Sequence, residues 1–321
     1  MEEHRGSAPE EAQIAERRQT LSLKGARWPR LRLLLRSPIP LAASLILIFF
    51  VLLAIFVAPS LYDIANRQNL NFRFFRPFQT SAGLWYFLGG DSLGRPLLAE
   101  LVFASRASFA VAGSAVLIAA IAGTSIGLYS GYKGGTVDAV LMRIADIIVT
   151  LPSLLLALAV LFVVGASAGN LVVVLAIARL PVFLRTSRAQ TLAVRESTFI
   201  EVSRSIGAKQ ARIIWQDIRP LVTPTILTVA MLELGSVMLA VSGLSFLGVG
   251  MQRPQIDWGS MVAEGRQFMT RAWWVTVCPG LTILLAALSA NVLSNWLRAI
   301  ADPLQSSVLY SVLSRKRKVR Q

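Results

Sequence analysis

The 321-residue chain contains one cysteine and one histidine, and its Asp and Glu residues total only 17. A lone Cys278 leaves no intrachain disulfide, which excludes the stapled scaffolds of small secreted proteins. His4 stands alone in a polar stretch, so a histidine-based metal site or a Ser-His-Asp triad is excluded. Charged residues make up 15% of the chain, against about 25% in a typical soluble domain. No Gly-Lys dipeptide occurs, and with it no G-x-x-x-x-G-K-[ST] loop to cradle a nucleotide's phosphates. No catalytic residue, metal or cofactor is expected.

What is present is apolar and basic. Hydrophobic residues form 55% of the chain and the mean hydropathy is +0.60. Because hydrocarbon offers backbone groups no water, a spanning helix needs roughly 20 mainly apolar residues. Ser37 to Tyr62, Ala107 to Tyr132 and Ala272 to Leu297 carry no charge, and Leu221 to Gln252 carries only Glu233. The charge-free stretch from Ile147 to Ala178 is too long for one span, and Gly165 to Asn170 supplies a break. The fold class expected is therefore all-α and polytopic, with six transmembrane helices: an N-terminal anchor helix (39–58) before a five-helix core (107–298). A basic tail (1–38), an aromatic-rich interfacial segment (59–106) and a second basic tail (299–321) complete the organisation. The 38 residues before the first span are too many for a cleaved signal's n-region, so it reads as an uncleaved anchor.

Lys and Arg number 32 and set the orientation. With the N-terminus inside, 23 of them fall on the cytoplasmic side and 8 outside, so both termini are expected in the cytoplasm. The same asymmetry accounts for the basic run Arg315 to Arg320 through retention and attraction to anionic lipid, and no nucleic-acid motif accompanies it.

The segment from about 186 to 223 is too polar to span. It predicts a short helix over Phe199–Ile206, capped by Ser197 or Thr198, a left-handed stop at Gly207, and a second helix over Ala208–Ile218 ended by Arg219–Pro220. Ile206, Ile213, Ile214 and Ile218 are spaced for one apolar face. Glu233 is the acidic residue well inside a span. It reads either as a pathway-lining group or as a buried hydrogen bond between helices. Arg143 and Asp146 are spaced as a local pair. Gly123, Gly127 and Gly131 permit close helix approach, within the chain or against a partner. Pro152, Pro181, Pro224 and Pro279 mark kinks or span ends.

Glu201-Val-Ser-Arg-Ser-Ile-Gly207-Ala208, continued through Ile213, Ile218 and Pro220, resembles the EAA loop of binding-protein-dependent ABC importer permeases. Further stretches resemble that family in the same order: Leu88-Gly-Gly-Asp-Ser-Leu-Gly-Arg95, Gly131 to Asp138, Met142 to Asp146, Leu151 to Ala157, Leu244 to Gly250, Trp258 to Met261 with Glu264-Gly-Arg266, and Asp302-Pro303. Together they point to the C-type permease of the dipeptide, oligopeptide and nickel group. The chain departs from the pattern at Val202 and Ser203 (Ala), Asp217 (His), Arg219 (Leu), Pro96 (Asp) and Arg179 (Gly).

The resemblance implies a cytoplasmic loop that couples to a separate ATPase through Phe199, Glu201, Val202, Ser203, Gly207, Ala208, Ile213 and Pro220. It further implies an inner-membrane location, a heterodimer with a B-type permease, two ATP-binding subunits, an external solute-binding protein, and peptides as substrates. A secondary transporter or channel not driven by ATP is the alternative, and the presence of a single intramembrane acid counts against it.

Overall fold

A computed structural model describes residues 34–301 apart from 36 and 80–82. Both basic tails, with His4, Asp302-Pro303 and the run Arg315 to Arg320, lie outside the described residues except for a few positions next to the first and last spans. Among the described residues the chain is helical, with one isolated bridge between Gly90 and Pro96 and no strand.

Five helices are long and apolar enough to cross a membrane: α1 (Pro38–Asn66), α2 (Leu97–Lys133), α5 (Ala168–Arg195), α7 (Gln210–Phe246) and α9 (Trp274–Ala301). Between α2 and α5 lie α3 (Gly135–Thr150) and α4 (Ser153–Val164), which pass the same test together but meet at 83°. The bend falls where Pro152 denies the helix an amide donor and pushes Leu151 into extended backbone. The expected third span is thus a broken pair rather than a straight helix. The expected turn after it is present: α4 ends at Val164, Gly165 takes φ +93°, and the Ser167 hydroxyl accepts the Asn170 amide to cap α5.

Two other boundaries differ from the sequence expectation. α1 continues past residue 58 through a π turn (Leu53–Val57) and a 3-10 turn (Ala58–Leu61), so the anchor helix reaches Asn66. α2 begins at Leu97, ten residues before the charge-free stretch, because Glu100 finds charged partners in its first turn and Arg106 is exposed.

Tight packing centres on α2 and α5. A Cβ on Gly123 would meet the Phe183 Cβ at 2.8 Å, one on Gly127 the Ser187 Oγ at 2.0 Å, and one on Gly131 the Thr191 Cβ at 2.9 Å. The three glycines therefore serve packing within the chain. Asp138 at the start of α3 accepts both arms of Arg188 on α5 and the Ser130 hydroxyl of α2, at 2.5 Å each. Asp146 pairs with Arg185 of α5 at 2.6 Å instead of with Arg143, three residues away. A helix pair braced across elements replaces the local pair expected there.

At the end of the bundle formed by the starts of α2 and α9 and the end of α7, the segment 67–96 folds into a cap. Phe72 stacks with Phe75 and Tyr86, Phe74 is buried against Phe268, and the Trp274 indole donates to the Gly90 carbonyl. The aromatics of this segment pack largely on one another.

Candidate functional site

The polar connection between α5 and α7 is a short helix, α6 (Thr198–Ser205), followed by Gly207. Ser197 occupies the N-cap, although its hydroxyl donates back to the Val194 carbonyl. The helix stops in a Schellman arrangement: the Gly207 amide donates to the Arg204 carbonyl at 2.9 Å and the Ala208 amide to that of Ser203 at 3.1 Å. Gly207 has φ +80°, a conformation that strains any residue bearing a Cβ.

α6 buries one side chain on the bundle, Ile200. Its opposite stripe, at helical spacing, is bare: Phe199 is 46% exposed, Val202 54% and Ile206 78%. Glu201 is also exposed and Ser203 half-buried, so the residues of the E-V-S motif reach solvent to different degrees. Arg204 folds back, its guanidinium 5.0 Å above the Tyr132 ring and its Nε donating to the Tyr132 hydroxyl, which ties α6 to the end of α2.

The second helix does not end at Arg219-Pro220. It starts at Gln210, passes through a π turn (Ile213–Ile218) and continues as α7. The wider π turn removes the need for an amide at Pro220, which stands at the first positions of the following α segment. Ile213, Ile214 and Ile218 enter the core, whereas Ile206 points away from it, so the expected common face is split. Ile213 therefore anchors the loop and offers no docking surface; Ala208 is half-buried against the same core, and Pro220 is exposed.

Within the bundle, Glu233 of α7 lies 3.5 Å from a terminal nitrogen of Arg179 on α5. The sequence marks Glu233 but not its partner, because Arg179 directly follows the charge-free stretch 147–178. The signal available was that Arg179 falls between two apolar runs with no neighbouring charge.

At the far end from α6, five charged groups form a network that sequence reasoning did not assemble. Asp91 accepts the amides of Leu93 and Arg95 and the Arg95 Nε at 2.7 Å. Arg95 also meets Glu100 at 3.2 Å, and Arg253 joins Glu100 (2.8 Å) to Glu264 through two nitrogens (2.8 and 3.0 Å). Nearby, Asp257 caps α8 (Trp258–Gly265) and accepts the Ser245 hydroxyl at 2.7 Å. Burial pushes the Asp257 carboxyl up from the usual range, and its hydrogen bonds with Ser245 and Ser260 oppose that shift. Asp91 and Arg95 belong to the Leu88–Arg95 signature and Glu264 to the Trp258–Arg266 one, and through Glu100 and Arg253 they fasten the cap to α2 and α8.

No cluster of three or more His, Cys, Asp or Glu able to hold a metal ion occurs among the described residues.

Residues 123–306 match the family described as "Binding-protein-dependent transport system inner membrane component". The chain is 34% identical over 268 residues to the probable D,D-dipeptide transport system permease protein DdpC of Escherichia coli (strain K12), covering 83% of this chain and 88% of that protein. It is 35% identical over 266 residues to the di/tripeptide transport system permease protein DppC of Pseudomonas aeruginosa (strain UCBPP-PA14), covering 81% and 85%. Against the glutathione transport system permease protein GsiD of Pectobacterium atrosepticum it is 35% identical over 272 residues, covering 85% and 89%. The chain belongs to the family of inner-membrane permease components of binding-protein-dependent transport systems, and is a multi-pass membrane protein rather than an enzyme.

Proposed function

We propose that this chain forms one half of the translocation pathway of an ATP-driven peptide importer and receives its motion from an ATP-binding subunit at α6. The observation that carries the reading is the bare stripe of Phe199, Val202 and Ile206 on a helix whose opposite side is seated by Ile200. A protruding helix with apolar residues aimed at water calls for a partner surface, and a helix laid in a groove is the common solution. Glu201 adds a charge beside the stripe, and the Gly207 stop fixes the angle at which the helix stands off the bundle.

Since the sequence holds no phosphate-cradling loop, the energy must come from that partner. When two ATP-binding subunits close, the two docked helices are carried with them as rigid bodies, and the bundle alternates between inward- and outward-facing forms. A second, B-type permease supplies the other half of the pathway, and a solute-binding protein delivers substrate at the capped end. Relatives named for dipeptides, di/tripeptides, D,D-dipeptides and glutathione support short peptides as the substrate class. The Lys and Arg distribution supports cytoplasmic termini. Glu233 is assigned to the pathway.

The test is Val202→Glu in the assembled complex. A carboxylate in the stripe is expected to lower co-purification of the ATP-binding subunit and ATP-dependent uptake at least tenfold, with the chain still inserted in the membrane. Uptake at the unmodified rate would remove α6 from the coupling path.

A further inference from the structure

We infer that Arg179 and Glu233 form an intramembrane binding site for a zwitterionic ligand, Glu233 taking its ammonium group and Arg179 its carboxylate. The inference rests on the peptide-importer reading and deepens it by placing substrate contact at two residues of this chain.

This ion pair differs in geometry from the hydrogen-bonded pairs of the bundle. Arg253 grips Glu264 through two nitrogens at 2.8 and 3.0 Å, Arg188 grips Asp138 through two at 2.5 Å, and Arg95 holds Asp91 at 2.7 Å. Those are closed, hydrogen-bonded pairs of the kind a structural brace requires. Arg179 and Glu233 approach only to 3.5 Å, through one nitrogen and one oxygen. The Arg179 Nε and the Glu233 Oε2 are buried and have no hydrogen-bond partner among the described residues. Neither side chain pairs with any other charge among them.

An arginine and a glutamate inside a bilayer are costly, and a buried pair is a weak source of stability even when its geometry is good. Here attraction is retained while donors and acceptors stay free. Arg offers five N–H donors in a fixed fork and a carboxylate about four acceptor positions, so most of that capacity is unused. A ligand bearing one ammonium and one carboxylate satisfies both members at once and keeps the site neutral. A lone cation or anion would leave the opposite member uncompensated.

The placement fits. At 1.5 Å per residue, Arg179 lies about 17 Å along α5 from Ala168, and Glu233 about 20 Å along α7 from Phe246. Both depths fall near the middle of a hydrocarbon core about 30 Å thick. The Arg179 side chain keeps 21% of its surface exposed, so the pair is reachable. Pro181, two residues on, has no amide to give the Ile177 carbonyl, which leaves a further acceptor in the same stretch of α5. Finally, α5 and α7 are the two helices that flank α6, so a movement of α6 acts directly on the two walls of the site.

The test uses the complete importer reconstituted in liposomes with its permease partner, ATP-binding subunits and binding protein, and L-alanyl-L-alanine as the probe. If the unmodified complex fails to accumulate the dipeptide with ATP, the importer reading fails, independently of this site. Given uptake, Glu233→Gln and Arg179→Gln are each expected to lower it at least tenfold while the complex co-purifies intact. The exchange R179E/E233R keeps a buried pair but reverses its polarity across the pathway, and is expected to assemble and remain at least tenfold down. Uptake within twofold of normal in both single variants, full recovery in the exchange, or loss of assembly in both single variants would each make the pair a helix-to-helix brace and overturn the inference.

Discussion

Gly207 shows how one backbone angle sets the geometry of a protruding element. Its φ of +80° is closed to proline, whose ring holds φ near −65°, and its amide donates to the Arg204 carbonyl. Gly207→Pro therefore removes the Schellman stop as well as the turn, and should abolish co-purification of the ATP-binding subunit while the chain remains inserted. The space around Gly207 is open, with nothing within 4 Å of an added Cβ. Gly207→Ala thus meets only the left-handed backbone cost of about 1–2 kcal/mol, and should leave reduced but measurable uptake. Equal loss in the two variants would mean that the glycine serves contact rather than conformation. This stop was legible in the sequence because a glycine after a short amphipathic run has few other readings. Glu233 was legible as an anomaly, yet its partner was not: pairing across α5 and α7 depends on helix rotation, which no local spacing encodes.

At the level of elements, α2 and α5 read best from small residues. Gly123, Gly127 and Gly131 recur every fourth position and so share one face of α2, onto which α5 settles through Phe183, Leu184, Ser187 and Thr191. Gly127 is the tightest point, since its Cβ would lie 2.4 Å from the Leu184 carbonyl oxygen. Gly127→Leu should force the helices apart and cost at least the 1–3 kcal/mol typical of overpacking, read as a lower thermal midpoint of the detergent-purified complex. Gly113→Ala, on the same helix with nothing within 4 Å, should leave the midpoint unchanged. A larger drop at Gly113 than at Gly127 would refute the groove. Helix boundaries were less legible. Apolarity marks where a helix meets lipid, whereas α2 begins earlier, among the polar partners of Glu100, and α7 runs through Pro220 by widening to a π turn. Both extensions depend on tertiary partners or on local unwinding, neither of which a hydropathy pattern records.

For the whole molecule, the charge distribution bears on whether the bent pair α3–α4 crosses the membrane or re-enters it. We infer from the charge distribution that it crosses. If the pair counts as a span, 23 of the Lys and Arg residues share one side and 8 the other, leaving aside Arg179 inside the bundle. If it re-enters, everything after Gly165 changes sides, and the division becomes 13 on the side of the N-terminus against 18. The first arrangement gathers the basic segments on one side far more strongly, and with that side cytoplasmic it places α6 and both termini where ATP is found. With Cys278 replaced by Ala, single cysteines at Ala166 and Gln210 can be labelled with a membrane-impermeant maleimide. Ala166→Cys should react in intact cells and Gln210→Cys only after permeabilisation, since one lies in the exposed turn between α4 and α5 and the other at the exposed start of α7. Labelling of both from the same face would make α3–α4 a re-entrant hairpin and leave five spans. That result would put α6 beyond reach of a cytoplasmic motor if it faced out, so the experiment on the broken helix also bears on how the molecule is driven.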